Sequence, residues 1–306
     1  MLKVEGLTKK FNKQTAVNNI SFTLAPETCT ALLGPNGAGK TTSLRMIAGL
    51  MHQTSGNIKL THNLSKDIRR EIGYLPQHPQ FHSWMTGREF LVYVGRLAFL
   101  TKKEAETAAD QLLERVGLID AGRKRIGKYS GGMKQRLGIA QAMIHKPKLL
   151  MLDEPVSALD PIGRRDVLNL MEELKKETTL LFSTHILNDA EEASDHLLLM
   201  NHGNIIESGS FADVRQRHAI KKIVAAFDTN SSVSLQDLQI LPHVVNVEKH
   251  KQEFHIYVED MQLGRQTLMK YFSDHDLPVQ SFEAGSMSLE ELFMKVVNQD
   301  AMADHI

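Results

Sequence analysis

Apolar and polar positions along the chain change rhythm twice. In the first part, short unbroken apolar runs alternate with segments of helical spacing. "CTALLG" (29–34) is a buried-type strand ending in glycine, and "GKTTSLRMIAGL" follows it with a helical period and a stop at Gly49. "KLLMLDEP" (148–155) and "TTLLFSTH" (178–185) repeat the apolar strand pattern. Between about 82 and 146 the pattern is helical throughout: "GREFLVYVGRLAFL", "KKEAETAADQLLERVGL" and "GGMKQRLGIAQAMIH". These residues form a helical insert within an α/β layer fold. After "VRQRHAIKK" the rhythm changes again. "KKIVAAFD", "VVNVEKHKQEFHIYVED" and "VQSFEA" alternate as short strands, while "LGRQTLMKYFSDHD" and "SLEELFMKVVNQ" space as amphipathic helices. The expected organisation is an α/β domain over residues 1–216 and a small α+β domain over 217–306.

Composition narrows the class without changing that plan. The 306 residues are long enough for two domains, and 42% hydrophobic with 24% charged residues is ordinary for packed cores. Lys plus Arg equals Asp plus Glu, 36 against 36, so no general attraction for nucleic acid is expected. The single cysteine, Cys29, lies in an apolar strand and reads as a small core residue in a reducing compartment. No run approaches the ~18 apolar residues that a membrane-spanning helix needs, and "MLKVEGLTKKF" carries no signal-type apolar stretch.

The candidate chemistry begins after the first apolar strand. Gly34, Gly39, Lys40 and Thr41 fit G-x-x-x-x-G-K-[ST] between a strand and a helix. Glycines let backbone N–H groups turn inward, the helix N-terminus adds positive potential, and Lys40 brings a point charge to β- and γ-phosphates. Thr41 offers a hydroxyl to Mg²⁺. The strand "LLMLDEP" carries Asp153 to its C-terminal end as a Mg²⁺-shell carboxylate, with Glu154 next as a base toward water. A second anion site is suggested by "YSGGMKQR" (129–136), where Ser130 N-caps a helix and Gly131 and Gly132 leave its end bare. One ATP does not need two such sites in one subunit. A head-to-tail pair of subunits would use both; a well-capped surface helix would use neither.

The order of these motifs, with "YLPQ", "SALD" and "STH", resembles the ATP-binding subunit of an ABC transporter over residues 1–216. The resemblance implies an ABC-type P-loop domain that binds ATP and Mg²⁺. It implies that Phe11 stacks on adenine, in place of a more usual Tyr, and that Gly34, Pro35, Asn36, Gly37, Ala38, Gly39, Lys40, Thr41 and Thr42 hold the phosphates. By the same resemblance Gln77 senses γ-phosphate and Mg²⁺, Ser130, Gly131 and Gly132 act across a dimer of two copies, Ser157 to Asp160 cross its interface, and His185 contacts the γ-phosphate. Tyr129 departs from the usual Leu, at a position that packs rather than binds. The stretch from "GNIKL" to "GYLPQ" is shorter than in many relatives and is expected to trim a hairpin.

"MKQRLGIAQAM" and "SLEELFMKVV" are similar to the ABC-2 exporter group, including bacitracin-resistance and multidrug types. That implies a separately encoded integral membrane permease and a peripheral place on the cytoplasmic face of the membrane. Members of the group also move sodium, lipids or polysaccharide, and a soluble non-transport ATPase is the competing class. Phe81 and Trp84 follow Gln77 and suit either a groove for a partner's helix or ordinary core. His78 and His82 lack a third ligand for a metal site, and His243, His250 and His255 read as solvated strand positions.

Overall fold

The computed structural model describes residues 2–12, 14–60, 67–157, 159–217, 221–227, 233–251, 253–285 and 293. The chain divides into two compact units, Met1–Phe211 and Ala212–Ile306. The division falls five residues before the 216/217 boundary read from the sequence. The "SLEELFMKVV" segment, residues 61–66 of the stretch from "GNIKL" to "GYLPQ" and Ala158 of the "SALD" motif lie outside the described residues, Phe293 excepted.

The first unit runs β1 (Leu2–Phe11), β2 (Gln14–Leu24), β3 (Cys29–Leu33), α1 (Lys40–Ile47), β4 (Ser55–Leu60), β5 (Ile72–Leu75), α2 (Gly87–Leu97), α3 (Lys102–Arg115), α4 (Gly131–Met143), β6 (Leu149–Asp153), α5 (Pro161–Leu174), β7 (Thr179–Thr184), α6 (Leu187–Ala193), β8 (His196–Asn201) and β9 (Asn204–Ser210). α7 (Phe211–Arg217) spans the division. The main sheet has the order β5-β6-β7-β3-β8-β9, parallel except for the antiparallel β9 edge. β3, β6 and β7 are buried at every residue, as expected of unbroken apolar runs covered on both faces. Cys29 is fully buried in β3, and burial pushes its thiol pKa far up, so it behaves as core.

β2, β1 and β4 form a separate antiparallel sheet. Leu2, Val4, Leu7, Val17 and Ile20 from that sheet pack into one core with Leu44 and Ile47 of α1 and with Leu32, Met151 and Leu181 of the parallel sheet. The alternating α/β reading did not separate this layer. Register shifts between Val4 and Leu7, Leu7 and Lys9, and Lys9 and Lys10 break the two-residue period in β1. The insert is helical, as its spacing indicated. α2 and α3 each begin with a reciprocal capping box, Thr86 with Glu89 and Thr101 with Glu104.

In the second unit β10 (Lys222–Phe227), α8 (Leu235–Gln239), β11 (Val244–His250), β12 (Glu253–Val258), α9 (Met261–Asp274) and β13 (Val279–Gly285) follow in order, and the antiparallel sheet runs β11-β12-β10-β13. Phe227 stands edge-on to Phe254 and Phe272, with Ile223, Ile256 and Leu268 completing the core. The solvated reading of the late histidines fails in part. His250 is exposed, but His243 is half-buried and His255 largely covered, its ring 4.4 Å from that of His250 across the β11–β12 pair. No group of three or more potential metal ligands occurs among the described residues.

Candidate nucleotide site

Parallel pairing brings four strand ends to one edge of the sheet, the usual place for a ligand in such folds. β3 delivers the glycine loop, β6 Asp153 and Glu154, β7 His185, and β5 Gln77. Together Asn36, Gly37, Gly39, Lys40, Thr41, Thr42, Gln77 and Glu154, with Ala16 of β2, line a cleft of ≈ 340 Å³.

The loop's shape requires its glycines. Gly37 and Gly39 have φ of 84° and 104°, conformations that L side chains rarely adopt. A Cβ on Gly39 would lie 2.5 Å from the Ala16 carbonyl oxygen, and one on Gly34 2.2 Å from that of Met200. Gly39→Ala is therefore expected to lower stability by about 2 kcal/mol and to remove nucleotide binding. Thermal unfolding with a nucleotide titration checks this; normal affinity would show that the loop is not the cradle.

Lys40 is 5% exposed and donates to the Gly34 and Pro35 carbonyls at 2.7 and 3.0 Å. Its ammonium is 4.0 Å from Glu154 Oε1. Burial pushes its pKa down, and the carboxylates of Glu154 and Asp153 oppose that. Asp153 is fully buried and richly bonded. Its Oδ1 accepts from Thr41 Oγ1 at 3.0 Å and Ser183 Oγ at 2.6 Å, and its Oδ2 from the Tyr74 hydroxyl at 3.4 Å. Burial, then the charge of Asp153, pushes the Tyr74 phenol up to about 12, which keeps it a donor. The hydroxyl of Thr41 and the carboxylate of Asp153 form an all-oxygen pair that fits Mg²⁺.

Glu154 has φ of 49°, the left-handed region, and its N–H donates to Ser183 Oγ at 2.9 Å. Strain of this kind gathers at functional sites. Its carboxylate accepts from Gln77 Nε2 at 3.3 Å and lies 3.3 Å from His185 Nδ1. Asp153, Glu154, Gln77, Lys40, Thr41 and His185 are thus one connected group. Phe11 stands exposed at the end of β1 with the Lys9 ammonium 5.0 Å from its ring centre, and is not among the cleft-lining residues. Gly34, Pro35, Ala38, Asp153, His185 and the Ser-Gly-Gly segment are not among them either, though Asp153 and His185 join the group through Thr41 and Glu154. Ser130 Oγ accepts from the Met133 N–H at 3.2 Å, so it caps α4.

Ser183 and Tyr74 were missed from sequence. The trace of Ser183 was a polar residue inside a buried strand two places before His185; Tyr74 left none, because its role depends on β5 pairing beside β6.

Residues 17–157 match the ABC transporter family, and residues 209–297 match the C-terminal domain of DrrA1-3-like ATP-binding proteins. The chain is 46% identical to the uncharacterized ABC transporter ATP-binding protein YxlF of Bacillus subtilis (strain 168), over 97% of this chain and 100% of that one. The chain belongs to the ABC transporter ATP-binding family. It is accordingly a nucleotide-binding ATPase, with a DrrA-like C-terminal domain. It is also 34% identical to the bacitracin transport ATP-binding protein BcrA of Bacillus licheniformis, over 97% of each. Among solved structures, an ATP-binding subunit of an ABC transporter superposes with a TM-score of 0.63 at 30% identity, covering 71% of this chain and 92% of the other.

Proposed function

We propose that this chain is the ATP-hydrolysing subunit of an exporter for drugs or antibiotic peptides. It acts as a head-to-tail pair with a separate membrane permease, on the cytoplasmic face of the membrane. The observation that carries the export reading is the end-to-end likeness to a bacitracin transport ATP-binding protein, which includes the accessory domain. Among the described residues no helix is long and apolar enough to cross a membrane, so the transport path is assigned to another chain.

In the proposed reaction, water attacks the γ-phosphorus in line and ADP leaves. Glu154 polarises the water and accepts its proton, held in place by Gln77 and His185. Lys40 and the loop N–H groups face the phosphates. Phe11 stacks on adenine. Thr41 and Asp153, with Gln77, would hold Mg²⁺; when bound it neutralises phosphate charge. The Ser130 helix end closes over the γ-phosphate held by the other copy, and Ser157 to Asp160 lie along the contact between copies. Among the described residues nothing explains glycine at the start of α4. A Cβ on Gly131 would meet nothing within 4 Å, and one on Gly132 only Leu159 Cδ2 at 3.8 Å. Glycine costs about 1 kcal/mol in a helix, so open backbone here suits a close approach from outside.

Trp84 is 68% exposed, which favours the groove over the core, and it stands beside His82 with Tyr93 nearby. The permease is proposed to dock on this aromatic face. A mild-detergent pull-down from native membranes tests the assignment. The expected result is a stoichiometric partner with several apolar spans of about 20 residues each. Recovery from the soluble fraction alone, or with ribosomes, would remove the export reading and leave the ATPase site intact. Trp84→Asp is expected to abolish co-purification while ATP affinity is unchanged.

A further inference from the structure

Resting on the paired-subunit reading, we infer that Tyr129 and Gly87 form a matched contact that sets the position of Ser130 from the start of α2. It makes Tyr129 a positioning residue for the step in which two copies close over ATP.

The segment that leads into α2 is stitched to the segment that leads into Ser130. The Ile126 N–H donates to the Met85 carbonyl at 2.8 Å, the Gly127 N–H to Ser83 at 3.0 Å, and the Arg88 N–H to Gly122 at 2.9 Å. Thr86 and Arg125 pair as an isolated antiparallel bridge. Tyr129 fastens the far end of this seam. Its side chain is buried, its hydroxyl donates to the Ala121 carbonyl at 2.7 Å, and the same oxygen lies close against Gly87. Gly87 begins α2, where a backbone N–H has no partner within the helix. The same residue must be glycine for the contact to exist. A Cβ there would lie 2.3 Å from the Tyr129 oxygen and 3.2 Å from its Cζ.

A Leu in place of Tyr129 would fill the apolar part of this space but leave the Ala121 carbonyl without that hydroxyl. The seam is continuous from exposed Trp84, through the Thr86 cap, to the residue that precedes Ser130. Movement at the start of α2 therefore reaches Ser130 through a buried hydroxyl and not through the loop backbone alone. A buried, close-packed contact of this kind shifts a neighbour as a unit, since packed interiors do not deform continuously.

The test uses the full chain in the Glu154→Gln background and follows ATP-driven dimerisation by sedimentation across an ATP titration. Nucleotide affinity of the dilute monomer and the melting temperature are read alongside. Tyr129→Phe, which keeps the ring, and Gly87→Ala are each expected to raise the ATP concentration for half-dimerisation about tenfold, the equivalent of about 1.4 kcal/mol. Monomer nucleotide affinity should stay within twofold, roughly the scatter of independent distant sites. Adding Tyr129→Leu should cancel the effect of Gly87→Ala, so that the double variant behaves as Tyr129→Leu alone. The contact is refuted if Gly87→Ala dimerises like its parent, or if the double variant is about tenfold worse again than Tyr129→Leu alone, as independent sites would be. It is equally refuted if the variants lower only the melting temperature. Failure of the Glu154→Gln parent itself to dimerise with ATP brings down the paired-subunit reading, and the positioning role with it.

Discussion

Glu154→Gln is expected to keep ATP bound and to lower turnover at least about a hundredfold, the usual scale for loss of a general base. The amide has the shape of the carboxylate and can still reach Gln77 and His185. It cannot take a proton from water. The cradle is untouched, because Lys40 is held by the Gly34 and Pro35 carbonyls. One electrostatic consequence has a definite sign. Burial already lowers the Lys40 pKa, and Glu154 is the first of two carboxylates that hold it up. Removing that charge lowers it further, so the alkaline loss of ATP affinity should begin at a lower pH in the variant than in the parent. Single-turnover hydrolysis and equilibrium binding across pH measure both effects. A variant that hydrolyses ATP at the parental rate would move the base away from Glu154.

The glycine loop could be read from the sequence because its chemistry is local. Strand, Gly34, Gly39, Lys40 and helix follow one another directly, and each feature constrains the next. Asp153 and Glu154 were legible for a related reason, being acidic residues at the end of an apolar run. The bonds that fix them were not. Ser183 holds both Asp153 Oδ1 and the Glu154 N–H because β7 lies beside β6, and Tyr74 reaches Asp153 because β5 lies on the other side. Strand order is a property of the folded sheet, and no spacing along the chain encodes it. Tyr129 illustrates the same limit. In the sequence it is an aromatic residue before a capped helix; its hydroxyl matters only because Gly87, far away in the chain, comes within reach. The β2-β1-β4 sheet was hidden because register shifts in β1 spoil the alternation that would have announced it.

Ser130→Arg is expected to leave ATP binding to the monomer intact and to abolish the ATP-driven dimer. The cleft of one chain is formed without Ser130, so its affinity has no reason to change. At the end of α4, Ser130 is exposed and satisfies the Met133 N–H. Arginine there removes the cap, at about 1 kcal/mol of helix stability, and fills the open space in front of Gly131. The added positive charge cannot compensate, because a guanidinium held above the helix end keeps a phosphate from the backbone N–H groups beneath it. Ser130→Ala separates the two effects. It removes the cap without adding bulk, and should weaken the dimer about tenfold or less, the equivalent of about 1.4 kcal/mol. Sedimentation of both variants in the Glu154→Gln background reads the difference. If Ser130→Arg dimerises with ATP as its parent does, the second Ser-Gly-Gly segment is a capped surface helix, and the closing of one copy over the other's ATP must be abandoned.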